Sequence, residues 1–186
     1  MMGIEDIFEN RRADMDTVEI EKNVLAKKIK TAFAGVQYPG NENMYGAYTN
    51  RYGLENLIAE SDKWGNNWEN ISSELLNREA CEIPILSPSA YVFFLPAFLL
   101  ASLNAVCNQD DPYTTLLMFV IYNLCLDIHA ESEFYELKLE SHSLLNPDQR
   151  NAIKCFLKFV SKFADDEEFF ELANNAIQSH YWCDCT

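Results

Sequence analysis

Basic residues are scarce in this sequence: 14 Lys and Arg stand against 29 Asp and Glu, a formal net charge of −15 over 186 residues. A field of that sign repels phosphate backbones, so nucleic-acid binding would need a local basic stripe to overcome it. The nearest thing to one is Lys22, Lys27, Lys28 and Lys30, which share a segment with Glu19 and Glu21 and read as a solvated helix face. Glycine and proline are also few, six of each. That excludes collagen-like and proline-rich chains, and with 13% aromatic residues there is enough side-chain volume for a core. No Gly-Lys-Ser/Thr follows any glycine, so the phosphate-binding loop of a nucleotide-dependent enzyme is missing.

The start of the chain, Met1-Met2-Gly3-Ile4-Glu5-Asp6-Ile7-Phe8, lacks the basic residues and apolar run of a secretory signal, so a cytoplasmic protein is expected. Two stretches are oily. Residues 90–106 are interrupted by Pro96, Ser102 and Asn104, and residues 113–126 are too few to cross about 30 Å of hydrocarbon, so both read as core helices and no membrane partner is expected. Four cysteines, Cys81, Cys107, Cys125 and Cys155, sit singly among apolar residues, where a reduced thiol behaves as a small hydrophobe. The remaining two, Cys183 and Cys185, join His180 in a run with metal-ligand character. A structural zinc site draws two pairs of ligands from separated segments and no second pair exists, so a frayed tail and no cofactor are expected.

Helical periodicity starts at Asp16-Thr17, where Val18, Leu25 and Ala32 recur every seven residues and Gly35 stands in the C-cap position. Residues 1–15 show no clear period and read as a short helix or an arm. Ser87-Pro88 and Asp111-Pro112 are helix starts, a capping side chain followed by proline in the first turn. They predict central apolar helices over 88–107, kinked at Pro96, and over 112–126. Asn146-Pro147-Asp148-Gln149 is a third start, with Gln149 able to reach back to the cap. Asp165-Asp166-Glu167-Glu168 opens a last helix at the end where acids suit the helix dipole. Residues 128–140 are ambiguous, because Tyr135, Leu137 and Leu139 alternate like a strand; a loop or short helix is preferred. The sum is a single all-α domain over 16–182, of about six or seven helices, followed by a tail at 183–186.

Several of these pieces together resemble a bacterial family of unknown function. They are Ala32-Phe33-Ala34-Gly35, Tyr38-Pro39-Gly40, Trp68, Leu86-Ser87-Pro88-Ser89-Ala90-Tyr91, Leu145-Asn146-Pro147-Asp148-Gln149 and Trp182. The most specific is Phe94-Leu95-Pro96-Ala97-Phe98-Leu99, because a proline inside an apolar helix is unusual. The resemblance spans roughly residues 24–182. It implies kinship of fold and transfers no catalytic residue.

For function, the loop carrying Tyr38, Tyr45, Tyr48 and Tyr52 among Asn and Gly has the make-up of a recognition surface, although these rings equally suit packing onto the core. With the net charge and the absence of catalytic motifs, this leads to an expected interaction module that binds a basic protein, in the manner of an immunity protein or antitoxin. An enzyme with a cryptic site near His129 and His142 is the first alternative. A structural module that associates with itself is the second.

Overall fold

The computed structural model describes residues 4–45, 55–65, 67–108, 110–126, 134–178 and 182, with side chains from Met15 onward. Nine α-helices occur among these residues: α1 (Ile4–Ala32), α2 (Glu55–Ala59), α3 (Ser61–Trp64), α4 (Ser73–Arg78), α5 (Pro88–Ser102), α6 (Thr114–Leu124), α7 (Tyr135–Ser143), α8 (Pro147–Phe163) and α9 (Glu167–Gln178). Six of them have nine residues or more. No β-strand is present among the described residues beyond an isolated bridge between Tyr45 and Leu86, and the fold is all-α.

The cap chemistry works as the sequence predicts. Ser87 Oγ accepts the Ala90 N–H at 3.1 Å, with Pro88 in the first turn of α5. At α8 the Asn146 side chain accepts the Gln149 N–H, and the Gln149 side chain accepts the Asn146 N–H, both at 2.9 Å. Asp166 takes the Glu168 N–H at 2.8 Å where α9 begins. At the other end of α1, Gly35 adopts φ +78°, a left-handed turn that suits a residue without Cβ.

Three boundaries differ from expectation, each for a local reason. The first helix is continuous from Ile4 to Ala32, so from Ile4 on the short helix or arm read over residues 1–15 belongs to the same helix. The second helix start is displaced to Thr114, because Asp111 folds into a turn whose carboxylate accepts the Tyr113 N–H at 2.9 Å and whose carbonyl accepts the Thr114 hydroxyl at 2.7 Å. The apolar run over 88–107 is α-helical only to Ser102 and closes as a 3₁₀ segment, Leu103–Cys107, with the Ser102 hydroxyl donating to the Leu99 carbonyl. Pro96 is buried within α5.

Helix α5 is the hub. Ten of its fifteen residues are buried, and it packs against α1, α4, α6 and α7, while α8 packs against α1 and α9. Phe93, Phe94 and Phe98 of α5 are fully buried with Trp64 and Phe156; Phe93 and Phe94 meet edge to face at 5.0 Å. Pro88–Cys107 is long and apolar enough to cross a membrane, but 83% of its most apolar 18 residues are buried inside the fold, as in a core helix.

Candidate functional site

Two places in the molecule carry chemistry that the core does not need. The first is a buried polar cluster under α7. Leu137, Lys138, Ser141 and His142 are all buried, and they are spaced to lie on one helical face. The fully buried His142 ring lies between Tyr91 and Trp182, at centroid distances of 5.4 and 5.3 Å. Its Nε2 is 3.1 Å from the Tyr91 hydroxyl, and its other ring nitrogen, Nδ1, has no hydrogen-bond partner among the described residues. Trp182 is fixed in turn by donating from Nε1 to the Leu124 carbonyl at 2.9 Å.

Burial pushes the His142 pKa down to about 3, helped by the positive charges of Lys138 and Arg150. Lys138 itself is 5% exposed. Burial lowers its pKa to about 8, with the nearby Cys125 acting in the opposite direction, and no carboxylate pairs with it among the described residues. The Cys125 thiol donates to the Leu172 carbonyl at 3.2 Å. A neutral histidine beside a depressed lysine suits proton transfer in principle, but a base must reach its substrate. The prominent surface hollows all lie elsewhere. This cluster ties α5, α6 and α7 to Trp182.

The second place is the surface formed by α1 and α8. Helix α1 buries Leu25 and Ile29, and Phe33 just after it, against the body and leaves Met15, Ile20 and Val24 out, at 72%, 63% and 64% exposure; these are three of the five large apolar side chains exposed among the described residues. Three connected hollows border them. One of about 340 Å³ is lined by Ile20, Val24, Lys28, Cys155, Lys158 and Phe159 among others. It shares Val24 and Lys28 with a second of about 430 Å³, and Lys162 with a third of about 730 Å³ that reaches Met15.

Charge is gathered on the same pair of helices. Together α1 and α8 carry ten of the fourteen Lys and Arg and eight of the 29 acids, which leaves four cations against 21 acids in the rest of the chain. Some of these lysines are already engaged. Lys162 pairs with Glu21 across the two helices at 2.6 Å, Lys22 pairs with Glu19 within α1 at 2.5 Å, and Lys28 Nζ lies 3.0 Å from Cys155 Sγ. Lys27 and Lys158 are exposed and have no ion-pair partner among the described residues. An apolar floor rimmed by free cations is a surface for an acidic, amphipathic ligand.

The residues singled out in the sequence are distributed differently. Tyr38 is half-buried and folds onto the core, edge to face with Trp64 at 4.9 Å and 5.2 Å from Phe93, with its hydroxyl bonded to Asn41. Burial, with Glu42 nearby, pushes its pKa up to about 12. Tyr45 is half-buried beside the bridge to Leu86. Tyr48, Tyr52, His129, His180, Cys183 and Cys185 lie outside the described residues, and among the described ones no group of three or more His, Cys, Asp or Glu is placed to hold a metal ion. The α1–α8 face is the feature that sequence reasoning misses. Its signals are the four-residue spacings of Ile20 with Val24 and of Lys154, Lys158 and Lys162, but neither means a groove until the two helices are known to touch.

Fold and charge together define an all-α protein whose helices α1 and α8 hold most of its cations. The family model described as "Family of unknown function (DUF6714)" matches residues 21–186, and the chain belongs to that family. No curated protein and no solved structure matches the chain.

Proposed function

We propose that this protein is a protein-interaction module whose binding face is the α1–α8 groove. The observation that carries the reading is the coincidence, on one pair of helices, of the exposed Ile20 and Val24, the adjoining hollows and most of the chain's cations. A chain this acidic gains nothing in solubility from leaving apolar side chains uncovered, and such patches mark interaction sites. The ligand that fits is an amphipathic helix with an acidic edge: its apolar stripe lies on Ile20, Val24 and Phe159, and its carboxylates reach Lys27 and Lys158.

A second reading keeps the basic partner expected from the net charge. It is favoured by the four cations against 21 acids outside α1 and α8, an imbalance that would steer a basic protein onto the opposite surface, as an immunity or antitoxin-like role requires. The two readings separate in one experiment. Fluorescent amphipathic peptides of the same length, one Leu/Glu and one Leu/Lys, are titrated with the wild type and with Ile20→Asp/Val24→Asp. The groove reading expects the Leu/Glu peptide to bind the wild type and to lose affinity for the variant. Binding of the Leu/Lys peptide alone, unchanged in the variant, transfers the site to the acidic body. Binding of neither refutes both.

A further inference from the structure

The charges along α1 are sorted by position. Residues 4–21 carry seven acids and two arginines, whereas residues 22–32 carry four lysines and no acid. The helix runs 29 residues, about 43 Å, without a break. At 3.6 residues per turn, Asp16, Ile20, Val24 and Lys27 fall on one face, and all four are exposed. That face lies opposite Leu25 and Ile29, which are buried. Along its length it is acidic, then apolar, then basic.

A strip of that pattern is complementary to itself when reversed. We infer that the occupant of the α1 face is a second copy of this chain, paired antiparallel along α1 about a two-fold axis; this rests on the groove reading and names its partner. With Ile20 set against the second copy's Val24, Asp16 of each chain falls beside Lys27 and Lys28 of the other. The four apolar side chains at the centre are covered, and two sets of opposite charges close over them, as at the edges of a coiled-coil seam. Residues 12–21 of each helix then lie along residues 23–32 of its mate, which carry Lys27, Lys28 and Lys30, and the helix dipoles oppose. A two-fold contact demands that one patch serve both sides, and this patch does. A parallel pairing would place lysines on lysines and acids on acids, so the charge order also selects the direction.

Sedimentation of the full-length chain across a range of concentrations, at low and high salt, reads the proposal directly. The expected result is a reversible monomer–dimer equilibrium, the dimer at twice 21.4 kDa, weakened by salt because its rim is ionic. Ile20→Asp/Val24→Asp should weaken association by at least about tenfold with an unchanged helical circular dichroism spectrum, since both side chains are already in solvent. Charge reversal supplies the decisive arm. Asp16→Lys and Lys27→Glu should each weaken the dimer, and the double variant Asp16→Lys/Lys27→Glu should restore it. A wild type that stays monomeric at the highest concentration overturns the inference, as does a dimer indifferent to Ile20 and Val24, or a double variant no better than the singles. The Leu/Glu peptide keeps the two claims apart: a monomeric wild type that binds it through Ile20 and Val24 loses the second copy and retains the groove, whereas a monomer that does not bind it loses both.

Discussion

Replacing Lys138 by methionine should stabilise this protein, and the gain should vanish in alkali. Lys138 is 5% exposed, with a pKa lowered from the ordinary 10.5 to about 8 because burial disfavours its charged form. The unfolded chain holds that proton up to about pH 10.5 and the folded chain only up to about pH 8. Between those values the unfolded state binds more protons, so stability rises with pH; below pH 8 both states are protonated and the penalty is constant. At 1.36 kcal/mol per pH unit the penalty is about 3 kcal/mol. Methionine keeps the apolar stem and removes the charge, so Lys138→Met should gain about 1–3 kcal/mol at pH 7. Urea unfolding of both proteins from pH 7 to 10.5 measures this, and groups common to both cancel in the difference. The curves should converge as pH rises through the window. A constant gap, or a methionine variant less stable at pH 7, would refute the placement of Lys138 in a low-dielectric site.

The neighbouring histidine gives a prediction of the same sign in a more acidic window. Because the His142 pKa is lowered from 6.5 to about 3, the unfolded chain takes up a proton first as pH falls, and stability should decline between about pH 6.5 and 3. His142→Gln should flatten that decline, seen as a smaller loss of urea midpoint between pH 7 and 4 than in the wild type. In the core, Phe94 is fully buried against Trp64, Phe93 and Phe98, and Phe94→Ala should cost about 3–5 kcal/mol in the same assay. A loss below about 1 kcal/mol would mean that the aromatic cluster does not hold α5 in place.

The helices that are legible in the sequence are those whose local chemistry and burial agree. Helix α8 announces itself twice, by the Asn146 and Gln149 capping pair and by Ile153, Phe156, Leu157 and Val160, all buried. Helix α5 does so through Ser87-Pro88 and an apolar run long enough to be central. Helix α7 is legible only as a loop or short helix, and the reason is physical. Its buried face holds Lys138, Ser141 and His142 beside a single leucine, so an apolar period cannot be seen where polar residues occupy the inside. The same exchange of polar for apolar hides the site on α1, where Ile20 and Val24 face solvent and interrupt the pattern set by Leu25 and Ile29.

These two departures from the inside–outside rule have different consequences. The buried polar residues under α7 are held within the fold: His142 bonds the Tyr91 hydroxyl and packs on Trp182, and Ser141 donates to the Leu137 carbonyl, while the burial of Lys138 costs stability. Among the described residues nothing covers the exposed apolar side chains on α1. Net charge is equally uninformative until the helices are placed, because −15 sums ten cations and eight acids in α1 and α8 with four cations and 21 acids in the rest of the chain. A partner inferred from the total is basic, and one inferred from the surface that holds the apolar side chains is acidic. Association is decided where desolvation and charge complementarity act on the same patch, so the local composition of α1 and α8 takes precedence over the total.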